Sequence, residues 1–452
     1  VGEFFESEKP CLTEFKTTTP YLSDTARADG VYEGKIGPFV CSIRNAAHKG
    51  FPEIRQISST CFVKTSVKSA IIIFLAARLF LSLWAIVVLT VAPLPDEPDE
   101  VARPYLGEPV LNDGIAGRLL SPWQRFDSQH YLRIARQGYA AEADSVFPPL
   151  YPLAIRAVGR LFGGSGSDCL MAAILISNLA FLGLLILLHH VTSAEFDSDS
   201  ATRTLVYLAL FPTGFFLLAP YTESTFLLFA LGSIWAAKQG RFWLAGTLGL
   251  LAALTRLTGW ILIVPLAYEY RLWWRSAVRK ATAIKWDTAV LAPLLPPLAL
   301  VGFLFWRWQA GLPPLSVMYE QYWHQTAGFL GIDVGTAVNT FFFNGPARAG
   351  EFTFIIDFFT ALFLLGTTVW TFRRLGTTCG LYSAMLLFFI LLPVSPYKPL
   401  YSFSRYALAF FPVFMLLGSV GKRPLLHRLV LYPFLALYLY FTGQFFIWGW
   451  VA

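Results

Sequence analysis

The sequence predicts an all-α polytopic membrane protein, and three observations predict it. Of its 452 residues 56% are hydrophobic and only 14% charged, where soluble domains carry about 25% charged residues. Apolar runs of roughly 20 residues recur, each long enough to cross a hydrocarbon core about 30 Å thick. The basic residues fall in short connections between those runs. An outer-membrane barrel would instead show alternating segments of about 10 residues. The net charge of +7 follows from the excess of Lys and Arg in cytoplasmic connections, so it calls for no nucleic-acid partner. Cys11, Cys41, Cys61, Cys169 and Cys379 are scattered and odd in number. They form no CxxC pair, and the histidines show no metal-ligand spacing. Neither a metal nor a cofactor is expected.

Residues 1–65 are polar and lack the apolar core of a signal peptide. They are read as a disordered segment, with the membrane domain over 66–452. The first span runs from Ser69 to Leu94. Lys64 and Lys68 precede it and "PDEPDE" follows, so its start is cytoplasmic and the loop 95–168 lies on the far side. A loop of that length is expected to hold helices of its own. The second span, "CLMAAILISNLAFLGLLILL", returns. In the next apolar stretch "PYTES" reads as a tight far-side turn between two helices. The following stretch, Phe242 to Tyr270, is apolar except for Glu269 near its end and Arg256, and basic residues flank both its ends. One crossing would place one basic cluster on the wrong side. Two short helices broken at "TRLTG", with Arg256 at their tip, satisfy the charge rule. Spans over 287–306, 352–372, 379–394, 406–420 and 429–450 follow, with a second far-side loop over 307–350. The expected total is about 11 transmembrane or half-membrane helices.

This topology gathers the ionisable residues toward one face. They are Asp127 in "SPWQRFDSQHYLRIARQGY", Glu223 in "PYTES", Arg256, Glu320 and His324 in "EQYWHQ", and Lys398 and Arg405 in "YKPLYSFSR". Charged groups at membrane depth are costly and serve a site, a pairing or a pathway. A carboxylate such as Asp127 can take the proton of an attacking hydroxyl; it can equally cap the helix that follows it. Arg256, Lys398 and Arg405 suit a phosphate, which arginine binds with two parallel hydrogen bonds. They could equally pair with Glu223 or snorkel to the interface. "VFPPLYPLAIR" reads as a rigid wall or surface anchor. The aromatics of "QYWHQ" and of the last helix read as an interfacial belt.

Taken in order, these pieces resemble a known family. "FDSQHYLRIARQGY" followed by "VFPPLYPLAIR" resembles the first luminal loop of the GPI mannosyltransferase II (PIG-V) family and its bacterial relatives. "FPTGFFLLAPYTESTFLLFAL", "LAALTRLTGWILIVPL" and "SFSRYALAFFPVF" resemble its later landmarks. Phe126 stands where that family usually has tryptophan. The resemblance implies a GT-C membrane glycosyltransferase that moves a sugar, typically mannose, with inversion from a polyprenyl- or dolichyl-phosphate carrier to a glycolipid or glycan acceptor. Asp127 is then the general base, and Arg405, Arg256 and Lys398 contact the donor phosphate. His130, Tyr131, Tyr221, Glu223 and His324 are assigned to the sugar or acceptor. The expected partners are donor, acceptor, membrane lipids and a small membrane subunit. The site would open to the lumen of the endoplasmic reticulum or to a bacterial periplasm. The competing reading is a transporter of a lipid-linked sugar that uses the same basic cavity without a base.

Overall fold

A computed structural model describes residues 52–451, except 96–98, 101, 112–113, 281–286, 329–331, 344–351 and 396–398. The described chain is helical apart from one short strand pair. Helix α1 (Pro52–Val91) begins within the segment read as polar, and its apolar part runs from Thr65. It buries Ala70, Ala77, Leu81 and Ala85 on one face, at helical spacing, while Ile72, Leu75, Leu79 and Leu83 are exposed. A helix this apolar on its exposed side has lipid as its solvent.

The first loop is folded, as its length predicts. It contains α2 (Gly114–Leu120), α3 (Asp127–Gln137) and α4 (Leu150–Phe162). Ser165 and Asp168 form a reciprocal capping box that starts the second span, α5 (Gly166–Glu195). Helix α6 (Ser198–Ala209) is only 12 residues long. Between it and α7 (Glu223–Lys238) the chain is irregular, with one 3-10 turn, and almost wholly buried. The expected tight turn at "PYTES" is therefore a long buried non-helical segment. Such backbone is tolerated at membrane depth only where protein or a polar cavity satisfies it.

Helix α8 (Phe242–Thr255) ends at Arg256, which is extended, and a 3-10 segment leads into α9 (Ile263–Lys280). The expected break is present. Gly259 shows how tightly the chain folds back there: a Cβ at this position would collide with the backbone of Ala252 and Ala253 in α8. Then come α10 (Leu295–Gln309), and α11 (Leu315–Trp323) and α12 (Ile332–Phe343) in the second loop. The span α13 (Phe352–Arg374) and the shorter apolar helix α14 (Gly376–Ile390) follow. Strands β1 (Thr326–Ala327) and β2 (Pro393–Val394) pair antiparallel, Thr326 opposite Val394, and tie the second loop to the end of α14. The chain closes with α15 (Phe403–Tyr406), α16 (Phe411–Val420) and α17 (Pro424–Phe446).

The expected count of about 11 does not emerge. Five described helices are long and apolar enough to cross a membrane, or six if the segment bent by 83° between Ala409 and Phe411 is one span. The difference has a physical cause. Several apolar stretches are interrupted near the site and persist as half-length helices, α8 and α14 among them.

Gly259→Ala is expected to lower stability by about 1–3 kcal/mol, the usual cost of overpacking. Gly302→Ala in α10, where a Cβ meets nothing within 4 Å, should be neutral or stabilising by up to about 1 kcal/mol. Thermal unfolding in detergent measures both; equal shifts would contradict the hairpin packing.

Candidate active site

Four ionisable side chains from four separate parts of the chain form one connected line. Arg405 Nη1 lies 2.8 Å from Asp127 Oδ2. Arg405 Nε donates to Glu223 Oε1 at 2.6 Å, and Arg256 Nη1 donates to the same oxygen at 2.6 Å. Glu223 is 4% exposed, and its Oε2 is buried without a hydrogen-bond partner among the described residues. A carboxylate this buried needs paired cations, and both arginines meet that need at one oxygen. The Arg405 guanidinium also lies against two adjacent rings, 4.8 Å from that of Phe216 and 4.8 Å from that of Tyr221.

Each residue is placed by a break in regular structure. Phe126, immediately before Asp127, has φ 49° and ψ −121°, a conformation that a bulky side chain rarely adopts. Its ring is held by Phe445, Trp448 and Trp450 at the C-terminal end of the chain. Arg125 Nε donates to the Phe446 carbonyl, and the Arg125 carbonyl accepts from Tyr221. The chain end and the "PYTES" segment together therefore impose the strained turn that presents Asp127. Phe126 occupies the cap position of α3, so Asp127 opens the helix rather than capping it.

Two open cavities meet at Asp127. The inner one, about 980 Å³, is lined by Asp127, Tyr131, Arg256, Arg405, Tyr319 and Tyr406 among others. Phe147 and Pro148 of "VFPPLYP" form part of its wall. The outer one, about 1370 Å³, is lined by His130, Arg133, Glu142, Tyr322 and His324. Asp127, Trp323, Tyr401 and Trp450 border both.

The structure thus gathers Asp127, Tyr131, Arg256 and Arg405 around one cavity, with Glu223 behind the two arginines, and places His130 and His324 on the other. Tyr221 takes a different position from the one expected. It is 1% exposed, its hydroxyl is spent on the Arg125 carbonyl and its ring supports Arg405. Glu223 is likewise a partner of two arginines rather than a group facing a sugar. Glu320 is exposed and borders neither cavity. Lys398 lies outside the described residues.

Several contributors carry no sequence signal of their own. Asp144, fully buried, accepts from His130 Nδ1 at 2.7 Å and from both Nε and Nη2 of Arg133 at 2.8 and 2.7 Å. Burial raises its proton affinity, yet the His130 and Arg133 hydrogen bonds outweigh this and hold the carboxyl below its usual range. Trp323 and Trp450 were expected in an interfacial belt; they form the threshold between the cavities. Among the described residues no three His, Cys, Asp or Glu side chains converge as a metal-ligand group.

Comparisons with known proteins show what the chain is similar to. Residues 65–299 match the family described as mannosyltransferase (PIG-V). A GPI alpha-1,6-mannosyltransferase 2 of Mus musculus is 29% identical over 174 residues, 37% of this chain. A GPI mannosyltransferase 2 of Yarrowia lipolytica is 29% identical over 154 residues, 34% of this chain. The matched stretches span 35% of the mouse protein and 42% of the yeast one. Among solved structures, ArnT from Cupriavidus metallidurans bound to undecaprenyl phosphate aligns over 72% of each chain, with TM-score 0.41 and 14% identity.

Asp144 sets a pH dependence. A carboxyl whose folded pKa is depressed contributes stability that is complete above its unfolded pKa of about 3.9. That contribution is lost as pH falls through the lower folded value. Asp144→Asn should therefore unfold at a lower temperature than wild type at neutral pH, with the gap closing below about pH 4. A gap of constant size across pH 3–7 in thermal melts would contradict the assignment.

Proposed function

The chain belongs to the mannosyltransferase (PIG-V) family, and from that membership we propose an inverting sugar transfer. The sugar, mannose in the first instance, passes from a polyprenyl or dolichyl phosphate carrier to a hydroxyl of a glycolipid or glycan. The observation that carries this reading is the position of Asp127 on the boundary of two cavities, one of which holds the paired arginines. The donor enters the inner cavity with its phosphate toward Arg405 and Arg256, and the acceptor enters the outer one. Its hydroxyl oxygen attacks the anomeric carbon from the face opposite the phosphate. The bond from that carbon to the phosphate oxygen breaks, and the hydroxyl proton passes to the Asp127 carboxylate.

Charge grows on the departing phosphate as the bond breaks, since a diester becomes a monoester. Guanidinium groups fixed beside it stabilise that growth without reorganising. Arginine carries five N–H donors, so Arg405 can hold Glu223 and still present others. Glu223 acts here by aligning the arginines, and Tyr221 by supporting one of them. His130, held by Asp144, and His324 border the acceptor side, with Tyr131 beneath the transferred sugar. Lys64 and Lys68 before the first span support a site on the luminal or periplasmic side.

Purified protein supplied with radiolabelled dolichyl-phosphate mannose and a membrane glycolipid extract tests the reading. Asp127→Asn should reduce transfer by roughly 100-fold or more, the scale of a lost general base, while the fold is retained. Undiminished transfer would overturn the role of Asp127. Undiminished movement of the lipid-linked sugar across vesicles, with no transfer by wild type, would favour the transporter.

A further inference from the structure

Arg405 reaches two places at once. One nitrogen holds Glu223 from below, and another, Nη1, holds Oδ2 of Asp127 at 2.8 Å. The Asp127 side chain is 24% exposed and the Arg405 side chain 12%, so the pair sits at the cavity wall and not in bulk water. In this arrangement the proposed base and the proposed phosphate-binding arginine form an ion pair. An anion that approaches Arg405 Nη1 from the inner cavity competes with Asp127 for that nitrogen.

We propose that Arg405 keeps Asp127 engaged until the donor phosphate arrives, so that donor binding itself releases the base. The inference rests on the proposed transfer reading and adds an order of events to it. The Nε bond to Glu223 supplies the pivot. Glu223 stays on Arg256 as well, so the guanidinium can exchange one carboxylate for a phosphate without leaving its buried anchor. The adjacent rings of Phe216 and Tyr221, 4.9 Å apart, close one side of the guanidinium and leave the cavity side for its movement. Oδ2 of Asp127, the oxygen that Arg405 vacates, then faces the acceptor hydroxyl across the threshold at Trp323 and Trp450. The consequence is economical in a wet outer cavity: the base is engaged while no donor is present and available once the phosphate is seated. Donor therefore binds before acceptor, and the two cavities communicate through one side chain.

The test is a binding measurement with undecaprenyl phosphate, which needs no acceptor. If the phosphate must displace Asp127 from Arg405, removing the carboxylate charge removes the competition. Asp127→Asn should bind undecaprenyl phosphate about tenfold more tightly than wild type, the scale of a close charge pair. The gain should persist when Arg256 is replaced by Gln, because Asp127 does not pair with Arg256. It should shrink below about threefold in an Arg405→Lys background, where the charge beside Glu223 remains but the fork is lost. Unchanged or weaker binding by Asp127→Asn would overturn the proposal. So would an equal gain in all three backgrounds, which would mark a general field effect. If wild type fails to bind the lipid phosphate, the donor reading falls, and the proposal with it. If Asp127→Asn retains transfer, the catalytic reading fails while this binding cycle still reports on the Arg405 exchange.

Discussion

Burying one carboxylate between two guanidinium groups constrains everything around it. Glu223 sits at the start of α7 with Arg256 and Arg405 on a single oxygen. A regular membrane helix spends its backbone groups internally and gives the partners little freedom to converge. The chain meets the constraint by interrupting its spans. The segment before Glu223 is irregular, Arg256 is the extended residue between α8 and a 3-10 turn, and Arg405 lies in a short helix before an 83° bend. Asp127 follows a residue in the left-handed region. Four breaks meet, and the cavities form where they meet.

The cost of those breaks is carried by packing. Buried non-helical backbone must find partners, and side chains supply several of them: Asn178 donates to the Leu218 carbonyl, Ser177 to that of Tyr221, and Thr213 to that of Ser404. The aromatic cluster of Phe445, Trp448 and Trp450 does the same for the strained Phe126. The end of the chain is thereby part of the site, although more than 300 residues separate it from Asp127, as the Arg125 bond to Phe446 shows with a separation of 321.

The sequence made the membrane class and the broken helix at Arg256 legible, because loop charge and span length are local quantities. It also singled out Glu223 and Arg256, since an ionisable residue in an apolar stretch stands out by itself, and Asp127 and Arg405 through the ordered motifs that resemble the family. What it could not show is which of these face a cavity and which support one. By sequence Tyr221 is assigned to the sugar or acceptor, and Glu223 either to the sugar or to a pairing with the arginines; burial turns both inward, and the pairing is the one observed. Asp144 was invisible because it stands in an ordinary polar loop, and only the fold brings it onto His130 and Arg133. The aromatics of "QYWHQ" carried the composition of a membrane belt, and nothing local distinguishes that from a cavity wall. The count of about 11 is not confirmed for a related reason: hydropathy registers apolar length but not the buried breaks that divide it.

The most direct measurement is a cryo-electron microscopy structure of the full chain with dolichyl or undecaprenyl phosphate bound. The account predicts the phosphate in the inner cavity, about 3 Å from nitrogens of both Arg405 and Arg256, with Arg405 Nη1 moved off Asp127. A phosphate seated in the outer cavity, beyond Trp323, with the Asp127–Arg405 pair intact, would contradict it.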